Sequence, residues 1–445
     1  MRGSDKAGLE KEEDYPLHKS AFIGNVAELA QLIRSGEDVS KQDVHGNTAL
    51  HLAVMLGHKE CVHMLIAHGA PVKLKNRLGW SPLAEAISYG DRQIISSLLR
   101  KLKLQSKEQM KSRKPDMIAA MQKLGDYVVD LKWDFTSWVP LVSKILPSDL
   151  CKISKRGSSI RLDTTLVDFS EMRWERGDIT FLYKGDAPTT EESFYVLDNS
   201  LKVYQRVRHD ETEVEFDEEV DLLMSSDIVS AQISTKPINF SKAQSGWFFK
   251  EDRSEMVGNY RANFYAINGM SLETRKRREH LSTEDLQKNR AMLESLTKGN
   301  GQILDQPNVN RESLAPPKKA DITWDAYISS DPCNCLVLGR PHLCKESSKG
   351  FKATVAMSED FPLTVDMLLN ILEIVAPQFK HFQKLRDFVE MKLPPGFPVK
   401  VDVPVLPTVS ARVTFQDFRW EDKLDENLFE IPKSYNEDPT RFPDL

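Results

Sequence analysis

The chain has 445 residues, 28% of them charged and 40% hydrophobic, and carries a formal net charge of −6 at neutral pH. This balance is that of a soluble globular protein with room for two or three cores, and it supplies no global basic field for binding nucleic acid. Five cysteines, odd in number and scattered, make no disulfide framework and suit a reducing compartment.

Residues 1–13, "MRGSDKAGLEKEE", form a polar tail without the apolar stretch of a secretory leader, so a cytoplasmic protein is expected. From 14 to 105 the sequence repeats at a period of 33 residues. "YPLH" at 15–18, "TALH" at 48–51 and "SPLA" at 81–84 open three units. Leu17, Leu50 and Leu83 fall in register, as do Ser20, Ala53 and Ala86, and Gly24, Gly57 and Gly90. The apolar pairs Leu32-Ile33, Leu65-Ile66 and Leu98-Leu99 close each unit. A 33-residue period with this opening is the signature of an ankyrin α-solenoid. The hydroxyl or proline starts a first helix, the small residue lets helices approach closely, and the glycine turns the chain into a second helix.

His58, Cys61 and His63 lie close together in the second unit and pose a zinc question. The 33-residue shift sets them against Asn25, Glu28 and Ala30 on one side, and against Asp91, Ile94 and Ser96 on the other. The apolar positions carry across and the ligands do not, whereas a zinc site needs four convergent ligands. The segment reads as scaffold, with His51, matched by His18, bonding a turn. Such stacks bind protein partners on their concave side and turn tips. His45, Asn47, Arg77 and Trp80, at or beside the turns, are the partner-binding candidates, expected to be exposed. Trp80 has two open readings: an interface anchor, or a side chain packed on the preceding unit's turn.

A basic run from Arg100 to Lys114 follows, either a solvated helix face or a contact for anionic lipid. Residues 106–155 read as a helical cap and connector, with Trp133, Phe135 and Trp138 as packing anchors. From 156 to 445 the period becomes two: "SIRLDTTLVDF", "DITFLYKGD", "SFYVLDNSLKVYQRV", "IVSAQISTKPINF" and "YRANFYAINGMSLETR" read as strands. They imply a mostly antiparallel, β-rich domain with added helices, so the fold class is α+β and multidomain. "RHDETEVEFDEEVD" is expected to be an acidic surface loop, and Arg275 to Arg278 the charged start of a helix. Residues 298–320 are the best flexible loop. Cys333, Cys335, His342 and Cys344 have a C-x-C spacing that does not suit structural zinc. "FPLTVDMLLNILEIVAP", interrupted by Asp366 and Glu373, falls short of the roughly 20 apolar residues of a span. It supplies an amphipathic helix over 363–375. The prolines of "FPVKVDVPVLPTVSARVTFQDF" point to sheet edges. No phosphate loop, "GxSxG" elbow or "HExxH" helix occurs, so no catalytic residue, metal, cofactor or small-molecule substrate is expected.

Beyond these readings, the chain resembles the ankyrin repeat domain-containing protein thirteen family over nearly its whole length, and its C subtype in particular. "NTALHLAVMLGHKEC", "GWSPLAEAISYGDRQ", "WDFTSWVPLVSKILPSD", "IRLDTTLVDF", "ETRKRREHLS", "MKLPPGFPVK" and "RFPDL" carry the resemblance, several of them outside the repeats. The resemblance implies a non-enzymatic chaperone or retention factor, peripheral on the cytosolic face of the endoplasmic reticulum. Its partners would be newly made G-protein-coupled receptors, handled by the region from about 156 onward. Other subtypes imply an alternative, a ubiquitin-linked endocytic adaptor. No acidic helix of that kind precedes Leu445, and ubiquitin binding is not carried over. A peripheral lipid-binding scaffold is the remaining alternative.

Overall fold

The 33-residue period becomes three helix pairs: α1 (Pro16–Ile23) with α2 (Val26–Arg34), α3 (Ala49–Leu56) with α4 (Lys59–Ala67), and α5 (Pro82–Tyr89) with α6 (Arg92–Lys123). The structure, a computed structural model, describes residues 15–137, 146–170, 173–208, 211–234, 238–245, 251–298, 311–318, 321–331, 336–365, 367, 393–406 and 409–442. The tail 1–13, Trp138, Cys333, Cys335, most of the 298–320 loop and most of the 363–375 helix lie outside the described residues.

Local chemistry explains the pairs. Thr48 and Ser81 cap α3 and α5 by accepting the N–H of His51 and of Ala84. Gly24, Gly57 and Gly90 end the first helices at φ of 81°, 74° and 88°, the left-handed conformation that spares glycine a Cβ clash. At Gly57 an added Cβ would run into the Tyr89 hydroxyl of the next unit, so the turn also sets how closely the units stack. Leu17, Leu29, Leu50, Ala53, Cys61, Leu65, Ile94 and Leu98 are buried in one core.

Two features depart from the sequence reading. The acidic stretch is a helix, α7 (Glu213–Ser225), opened by a capping box between Thr212 and Glu215. Phe216, Val220 and Met224, on one helical face, join the same core as the repeats. Its carboxylates meet the basic start of α6: Arg92 pairs with Asp217 and Asp221, Arg100 with Glu213, and Lys103 with Glu211 and Glu219. Helix α7 therefore covers the last repeat. The described part of residues 106–155, expected to do so, forms the end of α6 and the strands Tyr127–Ser137 and Ser148–Arg156. Trp133 and Phe135 lie on the first of these, their rings edge to face at 5.9 Å. Arg275–Arg277 likewise end a strand, Tyr260–Arg277, and α8 (Thr283–Lys298) begins only later.

The chain thus folds as two compact units that are not consecutive in sequence. The first holds residues 1–109, 211–232 and 273–348; the second holds 110–210, 233–272 and 349–445. In the second, strands pair antiparallel in the order 397–406, 409–420, 127–137, 148–156, 159–170, 173–184, 194–198 and 203–206. Strand 397–406 lies between two neighbours and not at an edge as its prolines suggested; register shifts beside Pro398 and Pro404 take up the missing ladder donors. Phe361 stacks on Phe397 at 4.2 Å within this unit's core.

Candidate partner-binding face

The turn side of the repeat stack is where such proteins bind partners, and its polar groups are organised by the same period. In each turn a backbone pair closes a tight hairpin: Asp43 N–H to Asn47 C=O at 2.8 Å, and Asn76 N–H to Trp80 C=O at 2.9 Å. The side chains of Asp43 and Asn76 accept the N–H of Asn47 and of Trp80 in return, at 2.8 and 3.0 Å. His18 and His51 then tie each opening helix to the turn of the following unit, through Nε2 on the carbonyls of Asn47 (3.1 Å) and Trp80 (3.1 Å). His51 Nδ1 accepts the N–H of Thr48 at 3.1 Å. Burial lowers the pKa of both imidazoles, that of His51 to about 4, so both act as neutral linkers.

Three of the four candidate residues are covered by the unit's own chain. His45, Asn47 and Trp80 are all less than 4% exposed, and Arg77 is exposed, its N–H held by the His45 carbonyl at 3.1 Å. The cover over the first turn is a short helix, α9 (Trp324–Ser329), capped by Thr323. Its Tyr327 hydroxyl donates to Asp43 at 2.7 Å and accepts from Asn47 Nδ2 at 2.8 Å, while Asn76 Nδ2 donates to Asn47 Oδ1 at 2.9 Å. His45 Nε2 reaches the Tyr327 carbonyl at 3.0 Å, its ring 4.7 Å from the phenol ring. Trp324, Tyr327, Ile328 and Leu338 pack on Phe22, Leu52 and Met55 in a cluster separate from the stack's own core.

Trp80 lies beneath the guanidinium groups of Arg277 and Arg275, at 5.0 and 5.5 Å from its ring. Arg277, fully buried, forks onto Glu85 with two bonds of 3.0 Å and pairs with Glu279 at 2.6 Å. The Ser88 hydroxyl donates to Glu279 at 2.7 Å, and His342 stands 3.8 Å from Glu85. Facing two carboxylates, the Arg277 guanidinium is held charged, and Glu279 has its pKa lowered despite burial because of Arg277 and Ser88. The period in the sequence located this face. Its cover was missed because the covering residues lie some 195–285 positions away in the chain. The only local signal was the apolar spacing Trp324, Tyr327, Ile328 behind a Thr cap.

Of the free cysteines among the described residues, Cys61 and Cys151 are buried and Cys344 is exposed. Cys61 is buried in the stack, His63 is exposed, and His58 Nε2 meets the Phe22 carbonyl at 3.2 Å, so the trio does not converge. In the second unit the Cys151 thiol is pushed up to about 11 by burial, which leaves it protonated and unreactive at neutral pH. Among the described residues no group of three or more His, Cys, Asp or Glu is placed to hold a metal ion, and no helix is long and apolar enough to cross a membrane.

A helix-pair stack whose turn face receives a peptide segment defines the class: an ankyrin-repeat protein built for protein–protein interaction. A model of three ankyrin repeats matches residues 6–123, and one described as ANKRD13 C-terminal matches residues 161–440. Proteins named Ankyrin repeat domain-containing protein 13C are 59% identical over 97% of this chain in Danio rerio and in Homo sapiens, covering 88% and 79% of those proteins. The human protein named Ankyrin repeat domain-containing protein 13B is 32% identical over 96% of the chain and 71% of its own length. The chain belongs to the ankyrin repeat domain-containing protein 13 family.

Proposed function

We infer that this protein is a non-enzymatic chaperone or retention factor. It binds newly made G-protein-coupled receptors at the cytosolic face of the endoplasmic reticulum membrane and regulates their folding and export. The observation that carries the reading is similarity to 13C-type proteins at 59% identity over 97% of the chain. It runs through both units, so whatever the family does with its repeats and its β-rich part together is expected of this chain. A protein-interaction stack fits the reading, since a chaperone needs contact area and no reactive centre. Binding immature receptor then shifts its population toward retained forms by mass action. Arg77, exposed at a turn tip, is the direct partner contact among the candidates; His45, Asn47 and Trp80 contribute by shaping the face around it.

The test is isolation of the full chain from cells together with a core-glycosylated, immature receptor, on membranes from which high salt or carbonate strips it. Recovery with mature surface receptors only, or capture by polyubiquitin, would replace this reading with the endocytic adaptor. Flotation of the protein with anionic liposomes in the absence of any receptor would favour the lipid-binding scaffold.

A further inference from the structure

We propose that the turn side of the stack is a peptide-recognition groove kept shut by its own chain. Residues 322–331 occupy it as an internal ligand, and the groove's external partner is a protein segment carrying the same short helix, aromatic-x-x-aromatic-aliphatic. The proposal stands on the geometry of the first unit and does not depend on which protein supplies that segment.

The occupant is read from what is seated there. Helix α9 is six residues long, too short to hold itself together in water, so it exists because the groove forms it. It enters as a peptide ligand does, with three anchors on one face. Trp324 stands edge to face on Phe22 at 5.6 Å, Tyr327 stacks on Phe22 at 5.5 Å, and Ile328 completes the cluster. The polar contacts are those of recognition: one hydroxyl bonded to both Asp43 and Asn47, and one backbone carbonyl bonded to His45.

One observation separates this contact from the core of the stack. The helix pairs and α7 form a core of their own to which none of its residues belongs. The contact is also imperfect. Trp324 Nε1 and His45 Nδ1 are both buried in it without a partner among the described residues, as His18 Nδ1 and His280 Nδ1 are elsewhere, and each orphaned group costs stability. A segment from outside that satisfied either atom would hold the groove better than the internal one. Tethering opposes it, since the internal segment competes at a high effective concentration, so external affinity is reduced by the small fraction of time the groove stands open.

Competition in trans tests this. The probe is a fluorescein-labelled peptide of residues 321–331, DITWDAYISSD, titrated by anisotropy into the full-length protein. Wild type is expected to bind weakly. The full-length Trp324→Ala/Tyr327→Ala variant, with its internal ligand disabled, is expected to bind at least about tenfold more tightly. Tyr327→Phe, which removes only the hydroxyl shared by Asp43 and Asn47 and leaves no cavity, is expected to bind with intermediate affinity. This second variant keeps the test decisive where the double variant fails to fold. A scrambled peptide is expected not to bind. The proposal is overturned where a folded variant, judged by an unchanged helical circular dichroism signal, binds the peptide no better than wild type, or binds the scrambled peptide equally.

Discussion

At His51 a single imidazole caps its own helix through Nδ1 and reaches the following turn through Nε2, so its neutral form is built into the stack. Its pKa is 6.5 when unfolded and about 4 when folded, a lowering driven by burial. Between pH 6.5 and 4 the unfolded chain therefore takes up a proton that the folded chain refuses. Stability is unaffected by this group above that window and falls as the pH drops through it, in total by on the order of 3 kcal/mol. Burial lowers the pKa of His18, His280 and His342 as well, and these steepen the slope. Urea midpoints are expected to hold level from pH 7.5 to about 6.5 and to fall from there to pH 5, and His51→Gln to flatten that fall while lowering stability at pH 7.5 by roughly 1–3 kcal/mol. Arg277→Met strands Glu85 and Glu279 in a buried site and is expected to cost about 3–5 kcal/mol in urea unfolding. Adding Glu85→Gln and Glu279→Gln is expected to recover much of that loss. A fully exposed Arg277 would show neither effect.

Among the elements, α7 shows how the end of a repeat array is finished. Phe216 is buried against the repeats with the Arg100 guanidinium 4.0 Å above its ring. Phe216→Ala is expected to destabilise by roughly 3–5 kcal/mol, and hydrogen exchange should place the loss in α5 and the start of α6 ahead of α1 and α2. Uniform loss of protection across the stack would show that α7 is not a local cover. The repeats were legible because every feature recurs within 33 residues, and the strands from 159 onward because alternation is a local signal. Helix α7 was hidden by its acids, which outnumber the three apolar residues on its buried face and make sense only beside the basic start of α6. The prolines at 398 and 404 misled for a related reason, since a bulge is visible only once the partner strand is known.

For the whole molecule, the repeats and their covers are one folding unit assembled from separated stretches of chain. The four turn residues could be picked from the sequence, but the burial of His45, Asn47 and Trp80 could not, because Tyr327 and Arg277 arrive from far downstream. A fragment of residues 14–105 holds all three repeats and leaves Phe22, Met55, Trp80 and the core under Phe216 open to water. It is expected to melt well below the full chain and to scatter light on heating; a melting temperature equal to that of the full chain would show the covers to be dispensable.

The scattered make-up of that unit also has a timetable. The ribosome finishes the first stretch of that unit at residue 109, while its last stretch ends at residue 348. Some 240 codons separate the two, on the order of 10–50 s at ordinary elongation speed. For that interval each nascent copy presents a half-clad solenoid with its aromatic seat vacant, a window in which cellular holdases have more to grip than they ever will on the finished protein.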